Sequence, residues 1–271
     1  MRWLIPALFM SSAQMAYAQC GEASEACQVT EGEYHVALPQ GDGPHPAVVF
    51  LHGHGSSGEG TLRNAGMIDA IVARGYAVIA ASGQPLEGRS GRSWGFHPDR
   101  PSARDEAQFI EAVADDAAAR FDLKRDDMLL AGFSVGGSMV SYLACAHPDA
   151  FTAYAPVAGN FWRPHPAACS GPVQLFHTHG WADMTVPLEG RVIRSEFAQG
   201  DVFAALQIWR ETNGCDLMRP DELSSSGDFQ MRHWTTCTQN AQLSFAMHPG
   251  GHSIPKGWAT AALDWYESLP R

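Results

Sequence analysis

Met128-Leu-Leu-Ala-Gly-Phe-Ser-Val-Gly-Gly137 decides the fold. Its first half is an unbroken apolar run, as expected of a strand buried on both faces of a parallel sheet. Its second half is G-x-S-x-G, and the small-residue stretch from Gly136 to Ala146 reads as a helix directly behind it. A strand that turns sharply into a helix lifts the intervening serine to the C-terminal edge of the sheet, and the glycines leave room for the crowded backbone. Ser134 at a helix N-terminus also sits where the helix dipole favours negative charge.

The chain on either side repeats this alternation. Pro46 to Leu51, Tyr76 to Ala81, Phe151 to Val157, Pro172 to His177 and Gln242 to Met247 read as further buried strands. Residues 61–73, Asp105 to Phe121, Asp201 to Thr212 and Trp258 to Leu269 read as helices, while 19–45 looks irregular except for a strand near Tyr34 to Leu38. Strands alternating with helices predict an α/β fold: a mostly parallel central sheet with helices on both faces. No repeat or linker interrupts it, so a single catalytic domain over 19–271 is expected.

Residues 1–18 carry Arg2, a short apolar stretch from Trp3 to Met10 and the small-x-small site Ala16-Tyr17-Ala18. This is the pattern of a cleaved signal peptide, too short in its apolar part to span a bilayer. Gln19 before Cys20 fits a lipid-attachment site poorly. A secreted or periplasmic protein without a membrane segment is expected. The six cysteines then read as disulfides of an oxidising compartment. Fifteen pairings are open; joining neighbours is simplest: Cys20–Cys27, Cys145–Cys169 and Cys215–Cys237. No Cys-x-x-Cys pair favours a metal. With 18 Lys+Arg against 29 Asp+Glu and no basic run, nucleic acid is excluded as a partner.

A serine hydroxyl needs a base, and in this strand–turn–helix context the order is serine, acid, histidine. Of the histidines after Ser134, His252 in Pro249-Gly-Gly-His-Ser253 lies on a loop just past the last strand, at the same sheet edge. His248 is its nearest competitor but ends that strand. Asp183, in His179-Gly-Trp-Ala-Asp183, follows the strand between the two and is the expected acid. Asp201 is second, and reads as an N-cap. Main-chain N–H groups of Val135 and of His54, in His52-Gly-His-Gly55, are expected to form the oxyanion hole. His52 and His54 do not read as metal ligands, since Glu59 is the only acidic residue near them.

At these motifs the chain resembles the exported esterases that include polyhydroxybutyrate depolymerases and bacterial feruloyl esterases, from about residue 32 onward. The resemblance rests on Leu51-His-Gly-His-Gly55, Ser93-Trp-Gly-Phe96, Gly132-Phe-Ser-Val-Gly-Gly137, Ala155-Pro-Val-Ala-Gly159, His179-Gly-Trp-Ala-Asp183 with Val186-Pro187, and Gly250-Gly-His252 with Pro255. It implies an α/β-hydrolase fold and a cofactor-free serine esterase that cleaves carboxylic esters, of hydroxyalkanoate or feruloyl type, through an acyl-serine. It also implies the bonds Cys145–Cys169 and Cys215–Cys237. His54 stands where many relatives carry cysteine or another residue. A monomer acting on a small-molecule or polymer ester is expected. Trp94, Trp181 and Trp162 are candidates for an acyl pocket, though core or rim positions fit them equally. A peptidase of the same fold, or a non-catalytic carbohydrate- or polymer-binding protein on a hydrolase scaffold, are the alternatives. The complete set of Ser134, Asp183 and His252 speaks against the binding protein.

Overall fold

In the computed structural model, Cys20 and residues 25–100, 102–194, 197–216 and 218–270 are described. The expected leader, 1–18, lies outside the described residues. Ten strands form one sheet: β1 Cys27–Val29, β2 Gly32–Ala37, β3 His45–Leu51, β4 Ala77–Ala81, β5 Leu123–Phe133, β6 Ala153–Val157, β7 Gln174–Gly180, β8 Glu222–Ser226, β9 Phe229–Trp234 and β10 Gln242–His248. Their spatial order is β1-β2-β4-β3-β5-β6-β7-β10-β9-β8. The six strands from β4 to β10 are parallel, and an antiparallel pair closes each flank.

The continuous apolar runs follow from burial on both faces. Successive side chains of β3 alternate: Ala47, Val49 and Leu51 enter one core, Val48 and Phe50 the other. Helices α3 (Glu106–Phe121), α4 (Val135–Ala146) and α5 (Val202–Thr212) cover the first face through Phe109, Val113, Leu143, Leu206 and Trp209. Helices α2 (Ala65–Val72) and α6 (Trp258–Glu267) cover the second through Ile68, Ile71, Trp258 and Leu263. These are two layers of helix about one sheet, as the alternation predicts.

Differences from the expected elements have local causes. The helix expected over 61–73 is two, α1 (Gly58–Leu62) and α2, separated at Arg63 and Asn64. Ser57 caps the first by accepting the Gly60 N–H. Strand β5 begins five residues earlier than Met128, because the partly polar segment 123–127 pairs at the rim of the sheet. The hairpin β8–β9 and two small accessory sheets were not expected. One joins Trp162–Arg163, Val192–Arg194 and Phe197–Gln199; the other joins Gln84–Pro85 and Arg92–Ser93. All three cysteine pairs expected from neighbour order are bonded: Cys20–Cys27, Cys145–Cys169 and Cys215–Cys237. Among the described residues no helix is long and apolar enough to cross a membrane.

Candidate active site

Ser134 stands between the end of β5 and the start of α4, with φ 57° and ψ −120°. A non-glycine residue reaches that region only when its surroundings force it. Here the Ser134 N–H is held by the Val157 carbonyl at 2.9 Å, and its carbonyl accepts the Ser138 N–H at 2.9 Å. Gly136 permits the turn: a Cβ there would come within 2.2 Å of the Leu51 carbonyl oxygen. So the glycines of the motif are needed because β3 passes directly behind it.

Three strand ends bring the remaining groups to the serine. Parallel pairing sets Gly180 of β7 opposite His248 of β10, so the loops that follow leave the sheet side by side. They are stitched by Trp181 N–H to the His248 carbonyl and Ala182 N–H to the Gly250 carbonyl. Asp183 on one loop accepts the His252 Nδ1–H at 2.7 Å, and His252 Nε2 lies 2.9 Å from Ser134 Oγ, within reach of its proton. The second Asp183 oxygen accepts the N–H groups of Thr185 and Val186, both at 2.8 Å. Burial opposes ionisation of this carboxyl, but the hydrogen bonds from His252, Val186 and Thr185 outweigh it and hold its pKa below the usual value. It is therefore a carboxylate aimed at the imidazole. Asp201, the second candidate, accepts the Ala204 N–H at the head of α5 and caps that helix. His248 ends β10, and its Nδ1 accepts the Gly250 N–H.

The oxyanion candidates lie on the other side of Ser134. His54 and Val135 line the same cleft as the serine. Neither main-chain N–H makes a hydrogen bond among the described residues. The loop that carries His54 is clamped from below by His52. Its Nδ1–H donates to the Gly53 carbonyl at 2.7 Å, and its Nε2 accepts the Gly83 N–H at 2.9 Å. Burial first, then the charges of Arg92 and Arg104, push the His52 pKa down to about 4. A neutral ring with one donor and one acceptor is what the clamp requires.

The cleft has a volume of roughly 610 Å³. Its apolar wall is built from Phe96, Trp162 and Phe197, with Phe96 and Trp162 edge-to-face at 5.3 Å between centroids. Trp94 also lines it, but is only 4% exposed and acts mainly as support for the loop at His52. Trp181 does not line the cleft. It is 56% exposed and borders a separate depression with Leu223, Phe245 and Met247, because its main chain is spent on joining the two loops. Sequence reading missed Phe197 and His97, and gave no role to Phe96. They stand on irregular segments and a small accessory sheet, where no periodicity marks a wall. No group of three or more His, Cys, Asp or Glu among the described residues could hold a metal.

A family model described as phospholipase/carboxylesterase matches residues 33–201. The chain belongs to that family. This phospholipase/carboxylesterase family member is a carboxylic ester hydrolase of the α/β-hydrolase fold. It is 30% identical over 243 residues to the Nocardia uniformis subsp. tsuyamanensis protein named "Putative esterase NocK", covering 82% of this chain and 68% of that one. It is 25% identical over 242 residues to feruloyl esterase C of Emericella nidulans, covering 83% and 77%. Among solved structures, the acetyl xylan esterase of Aspergillus awamori superposes with a TM-score of 0.64 at 15% identity, covering 88% of this chain and 94% of that one. At that identity the likeness speaks for the fold alone.

Proposed function

We propose that this esterase is exported and cleaves esters of aromatic carboxylic acids through a covalent acyl intermediate on Ser134. Ser134 Oγ attacks the ester carbonyl carbon while its proton passes to His252 Nε2. The oxyanion that forms faces the main-chain N–H groups of Val135 and His54. The carbonyl–oxygen bond to the alcohol breaks as His252 returns the proton to the leaving oxygen. Water repeats the sequence in reverse roles and frees the acid. Asp183 keeps the His252 proton on Nδ1 and stabilises the imidazolium.

The observation that carries the choice of acyl group is the ring-lined wall beside the serine, Phe96, Trp162 and Phe197. Flat rings at edge-to-face spacing accept another flat ring well. The similarity to a protein named feruloyl esterase agrees with it. Three disulfides and the N-terminal leader pattern support export. The test is kcat/KM for methyl ferulate, for p-nitrophenyl acetate, butyrate and palmitate, and for a hydroxybutyrate oligomer. Methyl ferulate and the short esters are expected to lead, with a steep fall by palmitate, since each methylene left in water forgoes about 0.8 kcal/mol. Trp162→Ala is expected to raise KM for methyl ferulate more than for the acetate. Fastest turnover of the oligomer, or rates that climb with chain length, would overturn the aromatic reading.

A further inference from the structure

The same cleft is lined by three arginines, Arg89, Arg100 and Arg191, and among its described lining there is no Asp or Glu. The chain as a whole has a net charge of −11. Six arginines outside the cleft, Arg63, Arg74, Arg92, Arg104, Arg120 and Arg125, form ion pairs, while Arg163 and Arg210 donate to main-chain carbonyls. The cleft arginines have no carboxylate partner among the described residues. Glu87, Asp99 and Glu189 are near them in sequence, yet none lines the cleft.

Their hydrogen-bonding capacity is largely unspent. A guanidinium offers five N–H donors. Arg191 uses its Nε on the Thr185 carbonyl and Gln199 Oε1. Arg100 lies over the Phe197 ring, its Cζ 4.9 Å from the centroid. His97 stands edge-on to the same ring at 5.3 Å and is 7% exposed. His97 Nδ1 accepts the Asp99 N–H at 3.1 Å, so a neutral ring carries its proton on Nε2. That Nε2 is buried and has no partner among the described residues. A buried donor left unmet is costly, and a planar guanidinium suits a two-oxygen anion. So this side of the cleft offers donors and positive charge and asks for a ligand with acceptors and negative charge.

We propose that the Phe197 side of the cleft is a subsite for a carboxylate carried by the ester substrate, held by Arg100 and Arg191 beside His97. The inference rests on the serine-esterase reading and narrows its substrates to acidic esters. The carboxylate belongs either to the acyl group or to the alcohol, and two charged-against-neutral pairs separate these sources. Mono-p-nitrophenyl glutarate against p-nitrophenyl valerate places the charge on the acyl side. A hydroxycinnamoyl quinate against its methyl ester places it on the alcohol side.

The quantity read is the ratio of kcat/KM, charged over neutral, within each pair. At low salt one pair is expected to give a ratio of about ten, carried by KM and falling as added salt screens the site. Arg100→Gln and Arg191→Gln are each expected to lower that ratio about threefold, and the double change to bring it near one; a merely structural role would lower both members together. Ratios at or below one in both pairs, or ratios the substitutions do not move, would overturn the subsite while leaving the aromatic esterase standing. Turnover of mono-p-nitrophenyl glutarate with none of either hydroxycinnamoyl ester would keep the subsite and remove the aromatic reading instead.

Discussion

The indole N–H of Trp94 donates to the main-chain carbonyl of His52 at 2.9 Å, which ties the floor of the cleft to the base of the candidate oxyanion loop. Both residues are buried, and their rings stand 5.2 Å apart. The indole therefore holds in place the start of the loop that carries His54.

Trp94→Phe keeps an aromatic ring and removes the donor. It leaves a buried carbonyl unmet, a loss of about 1–3 kcal/mol. The expected outcome is a lower melting temperature together with a fall in kcat larger than any rise in KM, because a misplaced donor weakens the transition state before it weakens binding. Unchanged kcat with raised KM would assign Trp94 to substrate contact instead.

Ser134→Ala and His252→Ala are expected to reduce ester hydrolysis to near background by similar factors, of several orders of magnitude, since the two act as one unit. Asp183→Asn should cost less, and Asp201→Asn should lower stability by about 1 kcal/mol with activity retained, as the loss of an N-cap does. Steady-state kinetics with fluorophosphonate labelling checks the first group, and thermal denaturation the last.

The dependence of stability on pH follows from histidines held neutral. Burial drives His177 well below 6.5 and lowers His179, and His52 lies at about 4. The unfolded chain binds protons at these sites from about pH 6.5 downward, and the folded chain does not. Stability is therefore full above that pH and declines as the pH falls toward 4; His52 alone accounts for about 3 kcal/mol across the window. Asp183 acts in the same direction at lower pH: its lowered pKa adds stability above the ordinary carboxylate value, lost as pH falls through the lowered one. Denaturant midpoints from pH 7 to 4.5 should fall, and His52→Gln, which keeps a donor and an acceptor, should flatten the slope by about one proton. A midpoint independent of pH would mean these rings accept protons in place.

The bonds Cys145–Cys169 and Cys215–Cys237 close segments of 24 and 22 residues. Opening either by paired serine substitution is expected to cost about 3 kcal/mol through the freed unfolded chain. No thiol should react under denaturing, non-reducing conditions, and two or more reactive thiols would contradict the pairing.

Much of this was legible before any coordinates. Apolar runs such as Pro46 to Leu51 announce strands covered on both faces because burial on two sides removes the polar alternation. The positions of Asp183 and His252 could be reasoned from chain order, since loops after neighbouring parallel strands must emerge at one edge. The cleft wall was legible only in part: Trp162 and Trp94 could be named as pocket candidates, Phe96 and Phe197 could not. Phe197 and Trp162 meet through a three-stranded accessory sheet of two- and three-residue strands, too short for any period to register. Trp181 misled for a related reason: proximity to Asp183 in sequence says nothing about which way a turn residue faces. The hairpin β8–β9 escaped because serines fill most of its outer strand, a composition that reads as loop.

That outer strand has a consequence for the molecule in concentrated solution. β8 ends the sheet with its far side open to any extended segment of another chain. It is five residues long, three of them serine, and begins with a charge at Glu222. A short polar border of this kind gives an incoming strand few apolar side chains to pack against and a cost in stripping hydroxyls of water. Growth of the sheet from one molecule into the next, the route by which exposed β borders seed fibrils, is discouraged on this flank by composition alone.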